Sequence, residues 1–263
     1  MPPPAAEKTA EGRTDAVHRT IKSILAGAFW LGVWALLAAL VGKELLLPGP
    51  LAVAGRLWTL MGQGAFWRSA GVSIGRILLG AVLGILLGAV LAGLAHRFSW
   101  LEALLSPLLT LVRSTPVASF ILLLLIWLGR DILPSVIVVL MALPVVWGGV
   151  QGGLATVDPL LLEMAKVCRL RPGQILRRIW IPTVRPHFFA ACRTALGLAW
   201  KAGIAAEVLT VPKLSIGRHL YEAKLYLETV DLFAWTALVV LLSLLLEKGL
   251  SAALRRWERG RGI

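Results

Sequence analysis

Glu163, Lys166, Arg169, Arg171, Arg177, Arg178 and Arg185 crowd into one polar stretch between long apolar runs. A segment so charged, broken by Pro172, Gly173 and Pro182, cannot lie in hydrocarbon. It is expected to form a helical loop on a membrane face, and a basic helix there suits the docking of another protein. A second set of charges falls inside the apolar runs: Arg76, Arg113, Arg193, Lys201 and Glu207. Each costs at least about 2.5–3.5 kcal/mol against lipid, so these groups must face protein or water. Arg193, Gly197 and Lys201 stand at i, i+4 and i+8, which puts two cations on one helix face about 12 Å apart. Trp200 and Glu207 occupy a neighbouring stripe. A structural pairing competes with a pathway role for Arg76, Arg113 and Arg193, while Lys201 and Glu207 favour function. The excess of cations along this path suits an anionic solute.

Other chemistries lack their residues. No G-x-x-x-x-G-K-[ST] phosphate cradle occurs, since Gly42-Lys43 is followed by Glu44. No Ser/His/Asp or Cys/His set sits on a nucleophile turn, and no His/Cys/Asp/Glu group has metal spacing. If ATP drives this protein, the ATPase is another chain. Cys168 and Cys192 read as free thiols.

Composition places the chain in a membrane. It is 58% hydrophobic with mean hydropathy +0.80, against roughly 45–50% apolar for soluble domains. The net charge of +13 sits in loops and tails beside apolar helices, which excludes a nucleic-acid-binding domain. The fold class is therefore all-α and integral to the membrane. Six spans are predicted, at about 24–42, 70–95, 103–128, 132–150, 183–208 and 232–250. Pro107, Arg113 and Pro116 interrupt the third, which fits either one span or two short ones with a re-entrant link. Residues 1–22 are expected to be a disordered tail rather than a signal peptide. The transmembrane body covers 23–250, with the loop at about 158–182 and a basic tail at 251–263.

Lys and Arg set the orientation. With the N-terminus inside, sixteen fall on the cytoplasmic side and seven outside. Both termini and the 158–182 loop are then cytoplasmic. Gly80, Gly84 and Gly88 recur every fourth residue and should let another helix approach closely. Within 210–231, Ser215 can cap a short helix lying on the outer membrane surface, serving as a docking face or gate, or merely as an interfacial helix. His219 there reads as a surface residue.

The spacing of Glu163, Ala165, Ile179 and Pro182 resembles the Glu-Ala-Ala loop of ABC importer permeases. Arg169 stands at that motif's Gly and Ile181 at its Leu. Ser73 to Gly80 resembles the S-x-x-R-x-x-x-G of the nitrate/sulfonate/taurine/bicarbonate branch. Arg113-Ser114-Thr115-Pro116-Val117 resembles its R-x-x-P-x segment, and Trp200 to Glu207 its W…A-E ending; Lys201 is a departure. The match covers most of residues 70–250.

The resemblance implies an importer-permease fold in a bacterial inner membrane. It implies that Glu163, Met164, Ala165, Lys166, Arg169, Leu170, Arg171, Pro172, Gly173 and Pro182 dock on an ABC ATPase. The loop helix is expected to begin at Glu163, whose carboxylate would complement the helix dipole by about 0.3–1 kcal/mol. Arg76, Arg113, Thr115, Pro116, Arg193, Trp200, Lys201 and Glu207 would line the pathway. The implied partners are two ATPase subunits, a second permease copy in a homodimer, an extracytoplasmic solute-binding protein and lipid. This chain would hold no cofactor, ATP and magnesium being bound by the ATPase. The implied cargo is a small anion of the sulfonate, nitrate or taurine type. The alternatives are a neutral or aromatic vitamin precursor (riboflavin or thiamine-pyrimidine type), or an ion-coupled secondary transporter using Glu207 and Lys201.

Overall fold

A computed structural model describes Lys22 and residues 25–259. Among these residues the regular structure is entirely helical. The helices are α1 (Leu25–Val41), α2 (Pro50–Met61), α3 (Gly64–Arg97), α4 (Ser99–Ser114), α5 (Val117–Leu124) and α6 (Leu133–Ala155). They continue as α7 (Pro159–Val167), α8 (Pro172–Ile175), a π turn at Leu176–Trp180, α9 (Ile181–Thr210), α10 (Ile216–Leu225) and α11 (Thr229–Arg259). The tail expected over 1–22 lies outside the described residues apart from Lys22. The last helix runs on to Arg259, so the proposed basic tail is largely a continuation of α11.

The chain forms two compact units. The smaller contains residues up to Leu60 together with Ala223–Ala234. The Trp34 indole donates to the Pro48 carbonyl at 3.1 Å, and its ring stacks on Phe233 with centroids 6.0 Å apart. Arg56 meets Asp231 through two parallel hydrogen bonds of 2.5 and 2.8 Å. That fork pushes the Arg56 guanidinium above its ordinary pKa, so its charge persists at every physiological pH.

The larger unit, Met61–Glu222 with residues from Trp235 onward, is built around α6, which packs against α3 and α9. α3 carries the glycine stripe on its buried face. A Cβ on Gly80 would come within 2.6 Å of the Ser135 carbonyl oxygen, and one on Gly88 within 2.6 Å of that of Leu143. Only glycine permits that approach. The opposite face of α3 exposes Leu79, Leu86 and Val90, as a helix in contact with lipid does. The stripe is thus spent on packing inside the chain.

Three described helices are long and apolar enough to cross a membrane: Gly64–Arg97, Leu133–Ala155 and Thr229–Gly249. α4 and α5 together supply a fourth crossing only as a pair bent by 104°. Of the two arrangements open for 103–128, one span or two short pieces, the structure has the broken one, interrupted at Thr115-Pro116. The six-span count is not reached by length and composition. α1 is short, and α9 carries Arg185, Arg193, Lys201 and Glu207 along an otherwise sufficient length.

Candidate functional site

The helix that opens the 158–182 loop is capped by Asp158 and begins at Pro159, not at Glu163. The Asp158 carboxylate accepts the Leu160 N–H at 2.8 Å and caps α7, with Pro159 in its first turn. Asp-Pro is a start signal legible in the sequence. Glu163 is the fifth residue of the helix, beyond the first turn with its orphan amides, so the expected dipole role does not hold.

At the other end, the Leu170 N–H reaches back to the Ala165 carbonyl at 2.9 Å and the Arg169 N–H to that of Lys166 at 3.0 Å. These two bonds close a Schellman turn. Its pivot is Arg169, with φ +50°. A left-handed L-residue costs about 1–2 kcal/mol, which is why glycine suits this position. Arg169 keeps the turn geometry and adds an exposed charge.

The surface of α7 follows from this. Ala165 is buried, whereas Leu160, Met164 and Val167 are exposed at i, i+4 and i+7. Lys166, Arg169 and Arg171 are exposed around them and Leu170 is half-buried. Pro172 opens α8, where the Gln174 side-chain carbonyl accepts the Arg171 N–H at 2.9 Å, and Gly173 is exposed. The π turn then leads into α9, with Pro182 in the first turn.

The pathway candidates divide. Glu207 is fully buried. One oxygen accepts from Arg76 at 2.6 Å; the other accepts from the Ser73 hydroxyl at 2.7 Å and the Gly217 N–H at 3.2 Å. The Ser73 oxygen in turn accepts the Ile216 N–H at 2.9 Å. Helices α3, α9 and the start of α10 are thus tied at one carboxylate, which also faces the positive end of α10. Ser215 caps α10 as expected, accepting the Arg218 N–H at 3.0 Å.

Glu207 and Arg76 are therefore a structural pair rather than open pathway groups. Trp200 is also buried, its indole donating to the Val239 carbonyl at 3.2 Å. The Arg113 guanidinium donates to the Pro144 carbonyl of α6 and lies over Gly148. Thr115 bonds back to the Leu111 carbonyl at 2.8 Å, and Pro116 starts α5. His219, expected at the surface, is half-buried: its ring stacks on Trp235 with centroids 4.3 Å apart, and Nε2 lies 2.9 Å from the Ser69 hydroxyl.

Among the charged candidates within the spans, Arg113, Arg193 and Lys201 stay exposed without an ion pair among the described residues, and of these Arg113 is held by the Pro144 carbonyl. Sequence reasoning missed Asp158, Ser73, Gly217 and Glu247. The last places Oε1 3.8 Å from the point a Cβ on Gly197 would occupy. Cys168 and Cys192 are both free.

Comparison with known proteins places this architecture. An ABC transporter permease protein of Brucella melitensis is 30% identical over 89% of this chain and 94% of its own length. The taurine transport system permease protein of Escherichia coli is 27% identical, covering 87% of this chain and 86% of its own. A solved amino acid ABC transporter shares the fold at TM-score 0.57 and 17% identity, over 71% of this chain and 89% of that one. Residues 80–257, spanning α6, the α7–α8 loop and α9, match one family throughout. The chain belongs to the binding-protein-dependent transport system inner membrane components, the permeases of ABC importers.

Proposed function

We propose that this permease pairs with a second copy to form the translocation pathway of an ATP-driven importer, and that two ATPase subunits dock on the loop from α7 to α8. The observation that carries the docking is the surface of α7: an apolar stripe of Leu160, Met164 and Val167, flanked by Lys166, Arg169 and Arg171. A soluble groove with an apolar floor, an acidic rim and a cation to meet the exposed Glu163 would complement it. ATP hydrolysis resides in that partner, which binds ATP and magnesium. Both termini and the loop are cytoplasmic. ATP closes the ATPase dimer, the α7 helices follow, and the pathway opens outward to receive cargo from a binding protein.

The cargo is a small solute with an anionic group. Arg193 and Lys201, exposed in the middle of α9, support that reading, as does the taurine transport named for a relative. Reconstitution of the chain with its ATPase and binding protein into liposomes tests it. Uptake is expected to need all three proteins and ATP hydrolysis. Uptake by this chain alone, driven by an ion gradient, would replace the importer with a secondary transporter.

A further inference from the structure

The bare face of α9 holds more than cations. Ala195, Leu196, Ala199 and Trp200 are buried, whereas Arg193, Lys201 and Ala205 are exposed and Gly197 is half-exposed. These four recur at every fourth residue and form one stripe. Gly197 lacks a side chain, so a notch separates the two cations, one turn to either side. The wall of the notch is Glu247 of α11, itself exposed, with Oε1 3.8 Å from the Cβ position at Gly197. Apart from Gly197's own chain neighbours and helix backbone, no other atom of the described residues comes within 4 Å of that position. Among the described residues, no ion pair holds Arg193, Lys201 or Glu247. Three unpaired charges at one membrane-embedded notch are retained where water or a solute meets them.

We propose that Glu247, with Arg193 and Lys201, forms a solute subsite around Gly197 that takes a small zwitterion, its anionic group on the cations and its ammonium on Glu247. This rests on the importer reading and narrows its cargo. A plain anion satisfies the cations but brings its charge against the Glu247 carboxylate. A solute carrying an ammonium a few bonds from its anionic group converts that repulsion into a charge-assisted hydrogen bond. Specificity then comes from the penalty on the wrong solute as much as from attraction to the right one.

The test places a cysteine at Gly197 in a Cys168→Ser background of the purified complex with its ATPase. Modification by a sulfonatoethyl thiosulfonate reagent is timed with competing 2-aminoethanesulfonate or ethanesulfonate, two probes that differ only in the amine. The expected result is roughly tenfold stronger protection by the amine-bearing probe, the worth of one hydrogen bond between charged groups. Glu247→Gln should erase that difference while leaving ethanesulfonate protection in place. Equal protection by both probes, protection by neither, or a preference that survives Glu247→Gln would overturn the subsite. If Gly197→Cys does not fold, Ala205→Cys on the same stripe serves as the reporter. ATP-dependent uptake by the unmodified complex is measured alongside. Its absence strikes the importer reading, whereas its presence with failed protection strikes this subsite alone.

Discussion

The Glu207 carboxylate and the Arg76 guanidinium meet at 2.6 Å, 131 positions apart in the chain, with Glu207 sealed from solvent. The pair fixes α9 to α3, and the second oxygen of Glu207 holds α10 through Gly217 and Ser73. Both carboxylate oxygens are therefore bonded. This arrangement tolerates no half-measures, because either charge left alone inside the protein is uncompensated.

Removing one partner should therefore cost about 3–5 kcal/mol, the penalty for orphaning a buried charge. Arg76→Met is expected to lower the unfolding temperature of the purified permease sharply. Arg76→Met with Glu207→Gln should recover part of the loss. Single variants as stable as the parent would show that the pair holds nothing.

The Schellman turn at the end of α7 makes a smaller, local prediction. Arg169 sits at φ +50°, so Arg169→Gly should relieve about 1 kcal/mol of strain, slowing exchange of the α7 amides roughly fivefold. Arg169→Val should speed exchange by more than that, since a β-branched residue suits the left-handed region least. Hydrogen exchange read by mass spectrometry decides between these outcomes and a turn indifferent to residue 169.

Much of this was legible because the membrane writes simple rules into a sequence. The glycine stripe and the basic loop follow from helix period and hydropathy, whereas of the six expected apolar spans only three described helices, or four with the bent pair, are long and apolar enough to cross. The role of Glu207 was not legible. Its partners Arg76 and Ser73 lie 131 and 134 positions away and Gly217 opens the helix that follows, and periodicity reports which residues share a face, not which faces meet. The start of α7 was misplaced for a different reason: the motif drew attention to Glu163, although Asp158-Pro159 carried the capping signal. Glu247 went unseen because its significance depends on a glycine fifty residues away on another helix.

Close packing at Gly88 gives a further check. A side chain there would strike the Leu143 carbonyl and the Val146 side chain. Gly88→Leu should force α3 from α6, and such overpacking typically costs about 1–3 kcal/mol. Gly93, with nothing within 4 Å of its Cβ position, should accept leucine with little change. Comparable losses at both sites, read by detergent thermal unfolding, would contradict the assigned packing face.

Orientation is tested by labelling in intact cells. In a Cys168→Ser background, a cysteine at Lys213 should react with a membrane-impermeant maleimide, and one at Arg171 should react only after permeabilisation. Reaction at Arg171 in sealed cells would put the loop on the outer face.

The central claim is that α7 transmits ATPase motion, and Glu163→Lys tests it most directly. Glu163 is exposed, and its contribution to the helix through Lys166 at i+3 is about 0.2–0.5 kcal/mol, so the fold should survive the change. The measurement is ATP hydrolysis and solute uptake by the reconstituted complex, with the unfolding temperature as control. The account predicts a folded, inserted permease whose ATPase no longer responds to loaded binding protein and which no longer drives uptake. Uptake and stimulation equal to the parent would contradict it.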